Sequence, residues 1–256
     1  MDMLNSHCGV SRDDRGVVRL TICKAGALNI LGSAAIDAVR AGLETLAADS
    51  SIRVLVLCGE SEKSLIGGAD IKEMAGLDQT SAETFITRLA GLCEAVRVFP
   101  APVVARIPGW CLGGGLEVAA ACDLRVASHN AKFSMPEVRV GIPSVIHAAL
   151  LPRLIGWGRA RRLLLTAETI DAPTALDWGL IDAVAPEGGL DAAVEQTVEA
   201  LLACGPAALR AQKALLRQWE ELPLKESVAV SIGAFGRSFL TDEPKRLMQA
   251  FIDRKR

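Results

Sequence analysis

Gly113-Gly114-Gly115-Leu116-Glu117-Val118-Ala119-Ala120-Ala121-Cys122-Asp123, entered through Pro108-Gly109-Trp110-Cys111-Leu112, is the stretch that decides how this chain is read. Three consecutive glycines between an extended segment and a helix let backbone approach a ligand closely and adopt unusual φ/ψ values. The first turn of a helix leaves N–H groups without internal partners, so it favours an anion or a developing oxyanion. Neither a G-K-[ST] tail nor a G-x-G-x-x-G fingerprint follows, which argues against a phosphate loop. Glu117 falls in the first turn of the helix predicted over Gly114 to Ala121. A surface glutamate favoured by the helix dipole, or one paired with Arg125, would suit that position. However, Leu116, Val118, Ala119, Ala120 and Ala121 make the helix apolar all round. Such a helix is buried, and buried carboxylates are rare unless paired or functional.

Two further segments carry the same kind of signal. Phe133-Ser134-Met135-Pro136-Glu137-Val138-Arg139-Val140-Gly141-Ile142-Pro143 places a second glutamate behind a proline, where bonding to local backbone or to Arg139 is the plain structural alternative. Gly67-Gly68-Ala69-Asp70-Ile71-Lys72-Glu73-Met74 repeats the glycine-to-helix transition. Asp70 reads as the N-cap of that helix, with the N–H of Ala69 just ahead of the cap and placed to face a ligand.

Working outward, Val17 to Cys23, Ile52 to Cys58, Pro102 to Ile107 and Leu124 to Ala127 read as strands. Helical spacing appears from Ser33, a candidate N-cap, through Ile36, Val39, Leu43 and Leu46, and again over Ser81 to Val98. Strands alternating with helices predict a layered α/β core. From about Arg159 the pattern is mostly helical, over Arg159 to Thr166, Ala172 to Trp178, Leu190 to Ala203, Pro206 to Glu220, Leu224 to Leu240 and Pro244 to Arg254. A short strand, Leu180 to Ala185, interrupts it. The expected organisation is an α/β body over 1–185 and a helical extension over 186–256.

The bulk properties narrow the function class. The formal net charge is −2 over 256 residues, so no global field recruits nucleic acid or an anionic membrane. Seven cysteines are scattered without C-x-x-C spacing, and three histidines lack ligand spacing, so no disulfide framework and no metal site is expected. Met1 to Arg15 lacks the apolar segment of a secretory signal, and no run is long enough to span a membrane. A cytoplasmic protein is the expectation.

Taken jointly, three motifs in order and spacing resemble the enoyl-CoA hydratase/isomerase superfamily, the crotonase fold: Gly68 to Met74; Gly113 to Glu117 with Cys122-Asp123; and Pro136-Glu137 with Gly141-Ile142-Pro143. Ala27-Leu28-Asn29 and Leu165 to Ile170, leading to Gly179-Leu180-Ile181, are similar as well. The similarity runs from about Val17 onward. It implies a crotonase-like α/β fold, a spiral of repeated strand-strand-helix units, whose C-terminal helices serve in a homotrimer or homohexamer. It also implies an acyl-CoA thioester substrate with no separate cofactor. The thioester carbonyl would lie between the backbone N–H groups of Ala69 and Gly114, an oxyanion hole. Glu117 would orient a water and act as base while Glu137 delivers a proton to C2. CoA would contact Ala27, Lys63, Ala69, Asp70, Ile71, Lys72 and Gly113, with Phe251 and Arg254 covering the nucleotide of a neighbouring subunit.

The chain departs from the family's pattern after Pro143. Where hydratases carry a glycine-rich helix start, it reads Ser144-Val145-Ile146-His147-Ala148-Ala149-Leu150-Leu151. The larger side chains are expected to fill space beside the acyl pocket, with Ser144 as a helix N-cap and His147 either near the acyl group or Glu137 or, the reading its position favours, buried and bonded to backbone. Pro108 stands where relatives have asparagine, and Ile22 to Gly26 lacks their Arg-Pro. Hydration of a 2-enoyl-CoA is the leading expectation, because water needs a partner on each side and both glutamates are kept. A Δ3–Δ2 enoyl-CoA isomerase and a CoA-thioester-binding protein without robust catalysis are the alternatives. RNA binding is disfavoured by the absence of a basic aromatic patch in the sequence.

Overall fold

Parallel pairing organises this chain. In the computed structural model, which describes residues 1–254, a seven-stranded sheet runs in the order Asp2–Asn5, Cys8–Arg12, Val17–Ile22, Val54–Gly59, Val103–Ile107, Leu124–Ser128, Ala183–Ala185. The first three strands form an antiparallel meander and the rest pair in parallel. Val54–Gly59 and Val103–Ile107 are near-continuous apolar runs because parallel strands are covered on both faces. A smaller sheet orders Ile170–Asp171, Lys132–Ser134, Trp110–Leu112 and Ser64–Ile66.

The helices in chain order are α1 (Ser33–Ala47), α2 (Ile71–Met74), α3 (Gln79–Val98), α4 (Gly114–Ala121), α5 (Leu151–Thr166), α6 (Ala172–Trp178), α7 (Leu190–Leu202), α8 (Pro206–Glu221), α9 (Leu224–Ser238) and α10 (Glu243–Asp253). Three successive turns of the chain, beginning at Val54, Val103 and Leu124, lay one strand in the large sheet, one in the small sheet and then helix; in the turn before them Ile30–Leu31 pairs with Gly68–Ala69 instead. Val103–Ile107, Trp110–Leu112 and α4 make one such unit; Leu124–Ser128, Lys132–Ser134 and, after two 3-10 turns, α5 make the next. Backbone ties successive units together: Trp110 N–H donates to the Lys63 carbonyl at 2.9 Å and Lys132 N–H to the Gly109 carbonyl at 3.2 Å. This is the strand-strand-helix spiral that the resemblance implied.

Strand periodicity divides the core. Leu55 and Leu57 face the cluster built by Ile36, Val39 and Leu43 of α1, Phe85, Leu89 and Leu92 of α3, and the residues of α4. Val54 and Val56 face the other way, where Val104 and Val126 pack against Leu190, Val194 and Val198 of α7. Helix α7 therefore forms a layer of the body, although it lies beyond residue 185. The N-terminal hairpin and the small sheet were not foreseen, since strands this short carry too few residues for a periodic signal. Ser33 is not the cap of α1. Gly32 holds that position, and the Ser33 hydroxyl and N–H both donate to the Glu73 carboxylate.

The C-terminal helices are anchored by buried charge. Lys213 of α8 donates from Nζ to Asp123 Oδ2 at 2.6 Å and to the Ala101 and Val96 carbonyls at 3.1 and 3.4 Å. Its burial depresses the ammonium pKa, against the pull of Asp123. Glu243 of α10 accepts from the N–H groups of Ala207 and Ala208, supplying the cap that Gly205 cannot. Beyond this anchor, α9, α10 and the turn between them leave apolar side chains exposed, including Ile232 and Phe235 of α9, Leu240 of the turn and Met248 of α10.

The start of α4 sits against the small sheet with no room for a side chain. A Cβ on Gly115 would lie 2.3 Å from the Ile66 carbonyl oxygen. Gly115→Ala is therefore expected to lower stability by ~1–3 kcal/mol, read as a lower urea midpoint at unchanged m-value. An unchanged midpoint would show that α4 can retreat from Ile66 at no cost.

Candidate active site

The three segments singled out in the sequence converge on one cavity of about 680 Å³. Gly67, Gly68 and Ala69 bound it on one side, Gly113, Gly114 and Glu117 form its floor, and Pro136 and Glu137 close the other side. Gly113 is the hinge of this arrangement. Its φ of 51° and ψ of −125° turn the chain from strand into α4 through a region closed to residues with a Cβ. A Cβ there would also lie 2.3 Å from Glu137 Oε1, and one on Gly114 would lie 2.7 Å from Leu89 Cδ2. The glycine at 113 thus leaves the space that the Glu137 carboxylate occupies, and the one at 114 the space taken by Leu89. The N–H groups of α4's first turn open from the same floor, where helix geometry leaves them without intrahelical acceptors.

Glu117 is 3% exposed, on a helix whose every residue is buried. Its Oε1 accepts from the Ala148 N–H at 2.9 Å. Arg125, the cation nearest in sequence, is turned elsewhere: it donates to the Leu180 and Cys122 carbonyls and pairs with Asp182 at 3.2 Å. Burial without a cation pushes the Glu117 carboxyl up to about 8; the negative charge of Glu137 adds to the rise and the Ala148 N–H opposes it. Glu137 is half-buried, at the head of a 3-10 turn (Glu137–Val140) ended by Gly141 in the left-handed conformation. Its Oε2 accepts from the Ser144 hydroxyl at 2.7 Å. Arg139 forms no ion pair among the described residues, so the expected local pairing with Glu137 does not occur; it lies at the cavity wall instead.

The remaining expected residues separate. Ala69, Ile71 and Gly113 border the cavity, and Asp70 caps α2 through the N–H groups of Lys72 and Glu73 at 2.8 and 3.4 Å. Ala27, Lys63 and Lys72 are exposed and lie outside the cavity lining. The Ala27 carbonyl accepts from the Ser61 hydroxyl at 2.5 Å. Phe251 and Arg254 belong to the last helical turn, exposed and away from the cavity of their own chain. His147 points out of the site: its Nε2 lies 3.7 Å from Glu94 Oε2, and burial, with Arg97 nearby, lowers its pKa. Ser144 caps no helix, because the following 3-10 turn, Ile146–Leu150, has Val145 at its cap position.

The sequence reading missed the apolar wall. Met74, Leu77, Phe85, Ile86 and Leu89 face Val140, Ile142, Pro143 and Val145 across the cavity beyond the glutamates. The helical spacing of Phe85 and Leu89 signalled only a buried face. Ala148's role rests on a backbone N–H, for which a sequence carries no signal. Among the described residues no group of three or more His, Cys, Asp or Glu could hold a metal ion, and no helix is long and apolar enough to cross a membrane.

The chain as a whole has known counterparts. Residues 12–256 match the family model described as enoyl-CoA hydratase/isomerase, and the chain belongs to that family. The short-chain-enoyl-CoA hydratase of Clostridium acetobutylicum is 32% identical over 241 residues, 94% of this chain and 92% of that protein. The crotonyl-CoA hydratase of Syntrophomonas wolfei is 32% identical over 238 residues, 93% of this chain and 92% of its own length. Among solved structures, the enoyl-CoA hydratase of Mycobacterium smegmatis superposes with a TM-score of 0.93 at 30% identity, covering 98% of this chain and 97% of that one.

The Glu117 carboxyl links stability to pH. Its folded pKa of about 8 stands above the 4.5 of an unperturbed glutamate, so folding retains a proton that the unfolded chain releases between those values. The stability that this proton confers is complete below the unfolded pKa and is lost as pH rises through the folded one. Glu117→Gln removes the linkage and keeps an acceptor for the Ala148 N–H. The variant should match wild type at acidic pH and gain on it steadily to about pH 8, ending a few kcal/mol more stable. Parallel stability–pH curves would show that Glu117 is not held protonated.

Proposed function

We propose that this chain is an enoyl-CoA hydratase, adding water across the double bond of a trans-2-enoyl-CoA to give a 3-hydroxyacyl-CoA. The observation that carries the reading is the pair of carboxylates, brought from α4 and from the 3-10 turn onto one cavity beside two glycine-lined backbone turns. The thioester oxygen is taken up by the N–H groups of Ala69 and Gly114, donors whose loss in such sites costs ~10²–10³ in rate. Water lies between the glutamates. Its oxygen bonds to C3 as Glu117 removes its proton, the π electrons pass into the thioester as an enolate, and Glu137 protonates C2. The pair must therefore carry one proton between them. Burial rests that proton on Glu117 in the open site, and its passage through the intervening water to Glu137 leaves Glu117 as base without changing the charge of the pair.

Two consequences can be measured by the loss of absorbance of the conjugated enoyl thioester. Glu117→Gln and Glu137→Gln should each lower kcat by ~10²–10⁴ while remaining folded. For wild type, kcat/KM should fall tenfold per pH unit above about pH 8, where the pair loses its remaining proton. A Δ3–Δ2 isomerase, which needs one ionised base and no proton-bearing partner at the start, would instead hold its rate or gain. The open cavity beyond the glutamates supports turnover over a purely binding role.

The exposed apolar side chains of this C-terminal region support assembly into a trimer or a dimer of trimers. Ile232 is 71% exposed, Phe235 69% and Leu240 83%, and exposed apolar side chains gathered on the C-terminal helices and their connecting turn suit an interaction surface. In the assembly, Phe251 and Arg254 would reach the nucleotide of a neighbour's CoA, while Lys63 or Lys72 would reach the phosphate or adenine of the CoA bound by their own chain. Ile232→Asp with Phe235→Asp should convert the assembly to monomer in light scattering after size exclusion; a wild-type monomer would refute it.

A further inference from the structure

We propose that Ser144 is a positioning residue that makes Oε1 of Glu137 the oxygen exchanging a proton with substrate. The inference deepens the hydratase reading and rests on it for the identity of C2 as the proton's destination. Ser144 stands where the family's pattern has glycine, so the hydroxyl belongs to this chain's own variant of the site.

The argument is geometric. The hydroxyl donates to Oε2 of the ionised carboxylate at 2.7 Å, occupying that oxygen. While that bond is kept, the incoming proton is taken on the other oxygen. Oε1 is that other oxygen, and it lies over Gly113, where even a methyl group would meet it at 2.3 Å. The floor of the cavity therefore fixes where Oε1 sits, and Ser144 fixes which way the carboxyl plane is turned. No competing duty claims the hydroxyl, because the turn that follows has no side-chain cap. Nor does Arg139 hold Glu137, since it forms no ion pair among the described residues.

The same short segment also reaches the other carboxylate. Ala148, four residues on, donates its N–H to Glu117 Oε1 at 2.9 Å. Ser144 and Ala148 thus brace the two glutamates from one stretch of chain. The two braces differ in kind. The N–H is a backbone donor that no substitution except proline removes. The hydroxyl can be deleted or replaced, which makes it the testable half.

Ser144→Ala and Ser144→Thr in the full chain test this, with two readouts: hydration of crotonyl-CoA, and solvent-deuterium exchange at C2 of the saturated butyryl-CoA, which needs proton transfer but no water addition. Ser144→Ala should lower kcat and C2 exchange together by about tenfold, the worth of one charge-assisted hydrogen bond. KM and melting temperature should stay near wild type, and Ser144→Thr should restore both rates. In a Glu137→Gln background the alanine should cost nothing further in either readout, whereas a role in pocket shape would multiply the losses. Wild-type rates in Ser144→Ala, a loss confined to KM, or no recovery with threonine would each overturn the inference and leave the hydratase reading intact. Ser144-dependent C2 exchange without hydration in wild type would sustain the inference and refute the hydratase. Wild type inactive in both assays would overturn both.

Discussion

A carboxyl group sealed in an apolar helix, with one backbone N–H as its partner and no cation, is the constraint around which this structure is arranged. Water would solvate an ionised glutamate far better than the interior of α4 does, so the site holds Glu117 against its own preference. The fold tolerates this because the rest of the core is so thoroughly apolar, with two buried clusters on either face of a parallel sheet. The penalty is also the chemistry. A carboxyl that keeps its proton near neutrality beside a second carboxyl is the arrangement that acid–base work on a neutral substrate requires. In the proposed reaction the proton that burial retains is the one that reaches C2.

Close backbone approach is the means by which that carboxyl meets its partners. Gly113 turns the chain through a conformation closed to side chains, Gly115 lets α4 rest on the Ile66 carbonyl, and Gly109 lets one spiral unit lie on the last. Each contact is made by main chain, so the spacing between units is set by peptide dimensions and not by rotamers. That rigidity matters for the proposed reaction, in which the two carboxylates share a proton, because a shift of an ångström would change both their repulsion and their reach. The buried Lys213–Asp123 pair extends the same logic outward, locking α8 to the strand end that follows α4.

The segment from Ser144 to Ala148 shows how a departure from a family's pattern can be absorbed. Bulky residues in place of glycines were expected to crowd the acyl pocket. Instead Ile146 packs toward the core, His147 faces Glu94, and only Val145 joins the cavity wall. The two polar contacts that remain, from the Ser144 hydroxyl and the Ala148 N–H, both go to the glutamates. The larger residues are therefore accommodated by turning most of their bulk away from the cavity and their donors toward it.

Much of this was legible in the order of residues. A glycine triplet, an all-apolar helix carrying one glutamate and a capping aspartate are local signals, each tied to a backbone conformation or a solvation cost that acts within a few residues. They sufficed for the α/β class, for most helices and for singling out two glutamates that the fold brings to one cavity. What the sequence by itself could not determine was anything that depends on two distant segments meeting: the short strands of the small sheet, the place of α7 on the body, Arg125 turning to Asp182 instead of Glu117, and Ser144 bonding Glu137 instead of capping a turn. A hydroxyl or guanidinium has several partners within reach of its composition, and only packing in three dimensions removes all but one. The identity of the site's groups was written in the chain; their partners, and so their protonation, were decided by the tertiary structure, because desolvation and hydrogen bonding are properties of a place and not of a residue.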